Sequence, residues 1–153
     1  ARAMDFFSTW IATPNLKLEA NPIARKMGWK VGIIVNVLLC FLFALWPLPA
    51  VVITTTSLLV AARNFQSAWF MRTMGEGNYR VWMTERLYES PRRLFVGCVL
   101  AQALLFTVLG GALMYFSGWL LVPFGVGMGM ITYALAVAIY TTLSVWRLAF
   151  RRL

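Results

Sequence analysis

The densest polar chemistry in the 153-residue chain lies near its start, where Asp5, Ser8, Thr9, Glu19 and Asn21 fall within the first 21 residues. If that segment folds back, the Asp5 and Glu19 carboxylates become candidate metal ligands, supplying the hard oxygen donors a divalent cation needs. Arg25 and Lys26 follow closely and could neutralise a phosphate. Together these groups describe one functional class, a metal-assisted enzyme acting on a phosphorylated lipid at the cytoplasmic interface. The competing reading of the same residues is capping and packing. With no histidine and a single aspartate in the chain, histidine-ligated haem or zinc, Ser-His and Cys-His pairs and paired-aspartate proteolysis are excluded. Cys40 and Cys98 lie in apolar runs without a Cys-x-x-Cys neighbour, which reads as two buried, unpaired thiols. No catalytic residue and no cofactor is assigned.

The elements that must position these residues follow from composition. Apolar residues make up 61% of the chain and charged residues 12%, whereas an ordinary soluble domain is roughly a quarter charged. Residues 31–62 and 94–146 contain no Lys, Arg, Asp or Glu, far more than a signal peptide would account for. As one helix, residues 94–146 would be roughly 80 Å long against a hydrocarbon core of about 30 Å. They must therefore fold back, at Ser117-Gly118 with Pro123 close behind. The shorter run breaks at Trp46-Pro47-Leu48-Pro49, where two prolines push Trp46 and Leu48 out of helical conformation. The expected class is all-α integral membrane, a four-transmembrane-helix bundle with spans 22–46, 50–73, 93–116 and 119–148.

Charge placement gives orientation. Arg2, Lys17, Arg25, Lys26 and Lys30 precede the first run; Arg63, Arg72, Arg80, Arg86, Arg92 and Arg93 lie between the runs; Arg147, Arg151 and Arg152 follow. With two hairpins every positive charge falls on one side, which predicts the cytoplasmic (inner) membrane of a prokaryote with both termini cytoplasmic. Trp29, Trp46, Trp69, Tyr115, Trp119 and Trp146 fall near the expected interfaces. The net charge of +9 borders apolar runs instead of forming a stripe with interleaved aromatics. Anionic lipid headgroups are therefore the expected partners, and nucleic acid is not.

Residues 3–13 form a short helix, with Met4, Phe6, Phe7, Trp10 and Ile11 on one face and Asp5, Ser8, Thr9 and Thr13 on the other. Ended by Pro14, it is too short to span and either lies in the interface or tucks halfway into the bundle. Asp5 is expected to face protein, because a carboxylate in hydrocarbon costs several kcal/mol. Asn21 is a good N-cap, Pro22 suits a first helical turn, and Glu19 lies favourably near the positive end of the helix dipole. Asp5-Phe6-Phe7-Ser8-Thr9 followed by Glu19-Ala20-Asn21-Pro22 resembles a widespread family of small, uncharacterised prokaryotic membrane proteins with an Asp-x-x-Ser-Thr helix ahead of Glu-x-Asn-Pro. The resemblance covers residues 4–30. It implies a multi-pass membrane protein whose motif residues are candidates for a polar site, and it brings no activity with it. In that family the first helix is usually a full span, whereas four residues precede Asp5 here.

The cytoplasmic connector, 74–92, breaks at Gly75-Glu76-Gly77, restarts with Asn78 as cap, shows an apolar face of Tyr79, Trp82, Met83 and Leu87, and stops at Ser90-Pro91. Glu76 with Arg80, and Glu89 with Arg92 and Arg93, have ion-pair spacings. It is read as a helical hairpin lying on the headgroups, or else as a docking site for a cytoplasmic partner. Within the spans the polar residues are few, chiefly Asn36, Thr55 with its neighbours Thr54, Thr56 and Ser57, and Gln102, and none is ionisable. That disfavours proton-driven transport and favours interhelical hydrogen bonds worth about 0.6–2 kcal/mol. Gly110, Gly111, Gly125 and Gly129, with Gly127, are helix-packing candidates, within the bundle or in self-association. The resulting expectation is a non-enzymatic accessory or scaffolding subunit with a protein partner, or a small homo-oligomer. The alternative is a channel or facilitator for a neutral or lipid-like solute, which requires a continuous polar cavity reaching Asn36, Thr55 and Gln102.

Overall fold

In hydrocarbon every backbone N–H and C=O must be bonded within its own segment, so long apolar runs have the α-helix as their solution. The computed structural model describes residues 1–19 and 21–150, without the side chains of residues 92 and 146–150. Ala20, Arg151, Arg152 and the side chains of Arg92, Trp146 and Arg147 therefore lie outside the described residues. These comprise six helices and no strand: α1 (Arg2–Ala12), α2 (Pro22–Ala44), α3 (Pro47–Met74), α4 (Glu76–Glu89), α5 (Arg92–Phe116) and α6 (Leu121–Phe150). Four of them, α2, α3, α5 and α6, are long and apolar enough to cross a membrane. The chain is all-α with four membrane-spanning helices, compatible with a small integral membrane protein.

The breaks have local causes. Trp46 is extended (φ −119°, ψ 114°) as a residue before proline should be. Leu48, expected outside the helix, is helical. Pro47 and Pro49 occupy the first turn of α3, where backbone donors have no intrahelical partner to lose, so the helix starts at 47 instead of 50. The second hairpin turns through Gly118 (φ 56°) and Trp119 (φ 66°), with the Ser117 hydroxyl donating to Met114 O at 2.7 Å and accepting from Trp119 N–H at 3.3 Å. This turn delays α6 to Leu121 and puts Pro123 in its first turn. Between α3 and α4 the break is Gly75 alone (φ 75°). Because α4 resumes at once at Glu76, Gly77 and Asn78 are helical and Asn78 is no cap. One bend had no sequence expectation: Gly28 (φ 69°, ψ −177°) divides α2 into a short leading piece and the long apolar span.

α3 is the central helix, with α1 and α6 packed on it and α5 on α6, while α2 touches α3 more sparsely. Glycines set the closest approaches. A Cβ at Gly125 would stand 2.8 Å from Val51 Cγ1, and one at Gly129 would stand 2.6 Å from Thr55 Cβ, so this i, i+4 pair seats α3. Gly127, on another face of α6, meets Gly110 of α5, where added Cβ atoms would come within 2.5 and 2.6 Å of the opposing carbonyl oxygens. Thr56 Oγ1 donates to Val52 O (2.9 Å) and lies 3.1 Å from Gly129 O. Of its two readings, Gly111 does not show packing within the bundle: nothing lies within 4 Å of its Cβ position, because it points away from the α5–α6 contact. The thiols are a second correction, since Cys40 and Cys98 are both exposed on outward helix faces.

Gly127→Ala should lower thermal stability by about 1–3 kcal/mol, as overpacking against backbone does. Gly111→Ala should leave it within about 0.5 kcal/mol of wild type. Thermal unfolding of the two variants in one detergent, followed by circular dichroism, checks both.

Candidate intramembrane polar site

α1 runs alongside α3 in the same direction, with Arg2 beside Ser57, Ser8 and Thr9 beside Asn64, and Thr13 beside Glu76. Ser8 and Ala12 of α1 are buried, as are Ser57, Ala61 and Ala68 of α3, and the small side chains let two helices approach closely. Of the two placements open to α1, tucking into the bundle is the one observed.

That placement creates the site. The Arg2 guanidinium donates to Asp5 Oδ2 at 2.9 Å, to Ser57 Oγ at 3.4 Å and to Asn36 Oδ1, joining α1, α3 and α2. Asn36 Nδ2 donates to Gly32 O at 2.8 Å, which fixes its amide orientation. The Phe6 ring lies under the guanidinium, 5.9 Å from its centre, and reaches over Gly32, 3.8 Å from that residue's Cβ position. Asp5 faces protein, with a side chain 16% exposed. Next to it Ser8, 0% exposed, donates to Asp5 O at 2.8 Å, and Asn64 Nδ2 donates to the Ser8 and Thr9 hydroxyls at 3.2 and 3.1 Å.

Asn36 lies six residues inside Lys30, and Ser57 lies six residues before Arg63, about 9 Å along a helix in each case. Arg2 and Asp5 are therefore at the level of the apolar spans. Two expectations are corrected here. Arg2 does not belong to the basic surface with the other cations, and ionisable groups do occur at span depth. Both errors have the same origin: Arg2 precedes the first apolar run in sequence, but α1 carries it back alongside that run.

Glu19 and Asn21 serve a different place, the start of α2. Asn21 Oδ1 accepts from Ile23 N–H (3.0 Å) and Ala24 N–H (3.4 Å), and Glu19 Oε1 accepts from Asn21 N–H (2.8 Å). The loop between α1 and α2 is held by Glu76, whose Oε1 accepts from Thr13 Oγ1 at 3.0 Å and Asn15 N–H at 2.8 Å. Trp29 Nε1 adds a 2.8 Å bond to Pro14 O just beyond the Gly28 bend. Glu76 was expected to pair with Arg80 and is instead drawn to this loop. Glu89 pairs backward with Arg86, at 2.7 Å.

The structure thus brings Asp5, Ser8 and Thr9 together and sets Glu19 and Asn21 in a separate cap. The weak metal pair Asp5–Glu19 finds its first carboxylate already neutralised by Arg2. Among the described residues, no group of three or more Cys, Asp or Glu is placed to hold a metal ion. Asn36, Thr55 and Gln102 belong to three different contacts: the Arg2 cluster, the α3–α6 seat at Gly129, and a 3.4 Å approach to Tyr133 OH. Sequence reasoning missed Arg2, Asn64 and Glu76 as site residues. The buried stripe Ser57, Ala61, Ala68, with Asn64 in register, was a readable signal for a helix seated on α3. No family model, curated protein or solved structure matches the chain.

Asn21→Ala should cost about 1 kcal/mol by uncapping α2, and Asn64→Leu about 1–3 kcal/mol by leaving the buried Ser8 hydroxyl with a lost partner. Both are read from thermal unfolding in detergent. Magnesium or manganese should not move the melting temperature of wild type; a rise that Asp5→Asn abolishes would restore the metal reading.

Proposed function

We propose that this chain is a non-enzymatic accessory or scaffolding subunit of a larger membrane complex, placed in the cytoplasmic membrane of a prokaryote with both termini cytoplasmic. The observation that supports it most is where the polar and apolar faces go. The polar groups of the Arg2 cluster are bonded to one another within the chain, leaving little free chemistry. Meanwhile α2 presents Ile34, Leu38 and Phe41, spaced i, i+4 and i+7, as an exposed apolar face. Gly125 and Gly129, the best self-association motif, are occupied by α3, so partner helices are better accommodated on α2 or α5. A continuous solute path through Asn36, Thr55 and Gln102 gains no support from three separate contacts, and the phospholipid-enzyme alternative loses its free carboxylate pair.

The orientation rests on the basic flanks: Lys17, Arg25, Lys26, Arg72 and Arg86 lie at or beyond one set of helix ends, facing anionic headgroups on this proposal. Kinship with the small uncharacterised family sharing Asp-x-x-Ser-Thr and Glu-x-Asn-Pro belongs to the same proposal.

Two measurements test it. A cysteine at Asn78, in a Cys40→Ser, Cys98→Ser background, should react with an impermeant thiol reagent only after the cytoplasmic side is opened; labelling in intact cells contradicts the orientation. In mild detergent, native electrophoresis of solubilised membranes should show the 17.3 kDa chain in a larger assembly that Ile34→Trp with Leu38→Trp disperses. Migration of the wild type as the free subunit overturns the accessory role.

A further inference from the structure

α4 and α5 diverge from the short turn at Ser90 and Pro91, and between them lies a groove of about 240 Å³. It is lined by Met83, Arg86 and Leu87 from α4, Ser90 from the turn, and Leu94, Phe95 and Cys98 from α5. The other flank of α4 is already engaged, since Tyr79 and Trp82 pack edge-on against Phe70 of α3 with ring centroids 6.0 and 5.1 Å apart. That aromatic contact holds α4 at a fixed place beside the start of a membrane-spanning helix and leaves the groove open on its α5 side.

Beyond Cys98, the last lining residue on α5, the exposed face of the helix stays apolar. Leu94, Cys98, Ala101, Leu105 and Val108 recur at i, i+4, i+7, i+11 and i+14, and all are exposed, so one apolar strip runs about 21 Å down α5. An extended hydrocarbon chain suits an apolar groove of about 240 Å³ that continues onto such a strip. One cation, Arg86, lines the groove. Arg86 gives one terminal nitrogen to Glu89 at 2.7 Å, and its other terminal nitrogen takes no part in that pair. Arg93, outside the lining but one residue before Leu94 at the start of α5, is exposed and forms no ion pair among the described residues. A guanidinium is well matched to a phosphate.

We propose that the groove between α4 and α5 seats one acyl chain of an anionic phospholipid from the surrounding leaflet, with its phosphate held by Arg86 and Arg93. It rests on the anionic-headgroup part of the functional proposal and is independent of the subunit role.

Native mass spectrometry of the purified full chain in detergent, with equal amounts of dioleoyl phosphatidylglycerol and dioleoyl phosphatidylcholine, tests it. Wild type should retain phosphatidylglycerol at least about five-fold over phosphatidylcholine. Cys98→Trp or Leu94→Trp, which fill the groove at exposed positions, should abolish retention, and Arg86→Gln with Arg93→Gln should bring the ratio near one. In a Cys40→Ser background, phosphatidylglycerol and not phosphatidylcholine should slow maleimide reaction at Cys98, which reads the groove without altering it. A preference that survives both groove-filling variants overturns the site while the general anionic-headgroup proposal stands. Absence of any preference in wild type overturns both. Protection of Cys98 in pure phosphatidylcholine vesicles assigns the groove to another occupant and also overturns the site.

Discussion

A guanidinium and a carboxylate at the depth of apolar spans have few tolerable arrangements. Each charge facing lipid costs at least about 2.5–3.5 kcal/mol at the centre of a membrane helix, so Arg2 and Asp5 must find each other and further donors and acceptors within the protein. The geometry that meets this condition binds three helices at once: Asp5 from α1, Ser57 from α3 and Asn36 from α2. Because α2 is otherwise sparsely packed on its neighbours, the Arg2 contacts and the Trp29–Pro14 bond supply much of what holds it in place. The rest of the N-terminal half follows. α1 must turn its polar face onto α3, α3 must present small side chains to receive it, and the loop back to α2 must be anchored at Thr13 and Asn15 by Glu76.

The C-terminal half is built on a different principle. Apolar helices gain nothing from leaving water once they are in lipid, so α3, α5 and α6 associate through close packing at glycine. α6 works in two directions because its glycines are spaced by two and by four. Gly125 and Gly129 meet Val51 and Thr55 of α3, and Gly127 meets Gly110 of α5. α3 thereby joins the two halves, polar contacts with α1 on one side and glycine contacts with α6 on another. Rigidity on these inner faces leaves the outer faces of α2 and α5 free to meet lipid or partners.

Much of the architecture was legible in the sequence because it depends on length, charge and proline, all of which act locally. The four long apolar helices, both hairpins and the Asn21 cap needed no knowledge of tertiary contacts. What escaped was non-local. Arg2 looked like an interfacial cation because nothing in residues 1–30 reveals that α1 docks beside residues 57–64. Glu76 looked like a partner for Arg80 at helical spacing, but two loop donors, the buried Thr13 hydroxyl and the Asn15 N–H, compete better than an exposed ion pair worth a few tenths of a kcal/mol. Gly111, adjacent to Gly110, could not be told apart from it without the rotation of α5. Gly28 was unremarkable as a residue, although its positive φ divides α2 just before Trp29.

The central claim is that Arg2 and Asp5 act as one paired unit at membrane depth, and a double-mutant cycle of Arg2→Met and Asp5→Leu, read by thermal unfolding in lipid nanodiscs, tests it most directly. Each single substitution should lower stability by about 3 kcal/mol, because it strands the opposite charge, and the double variant should recover most of that loss. Strictly additive effects, with the double variant less stable than either single one, would contradict the account.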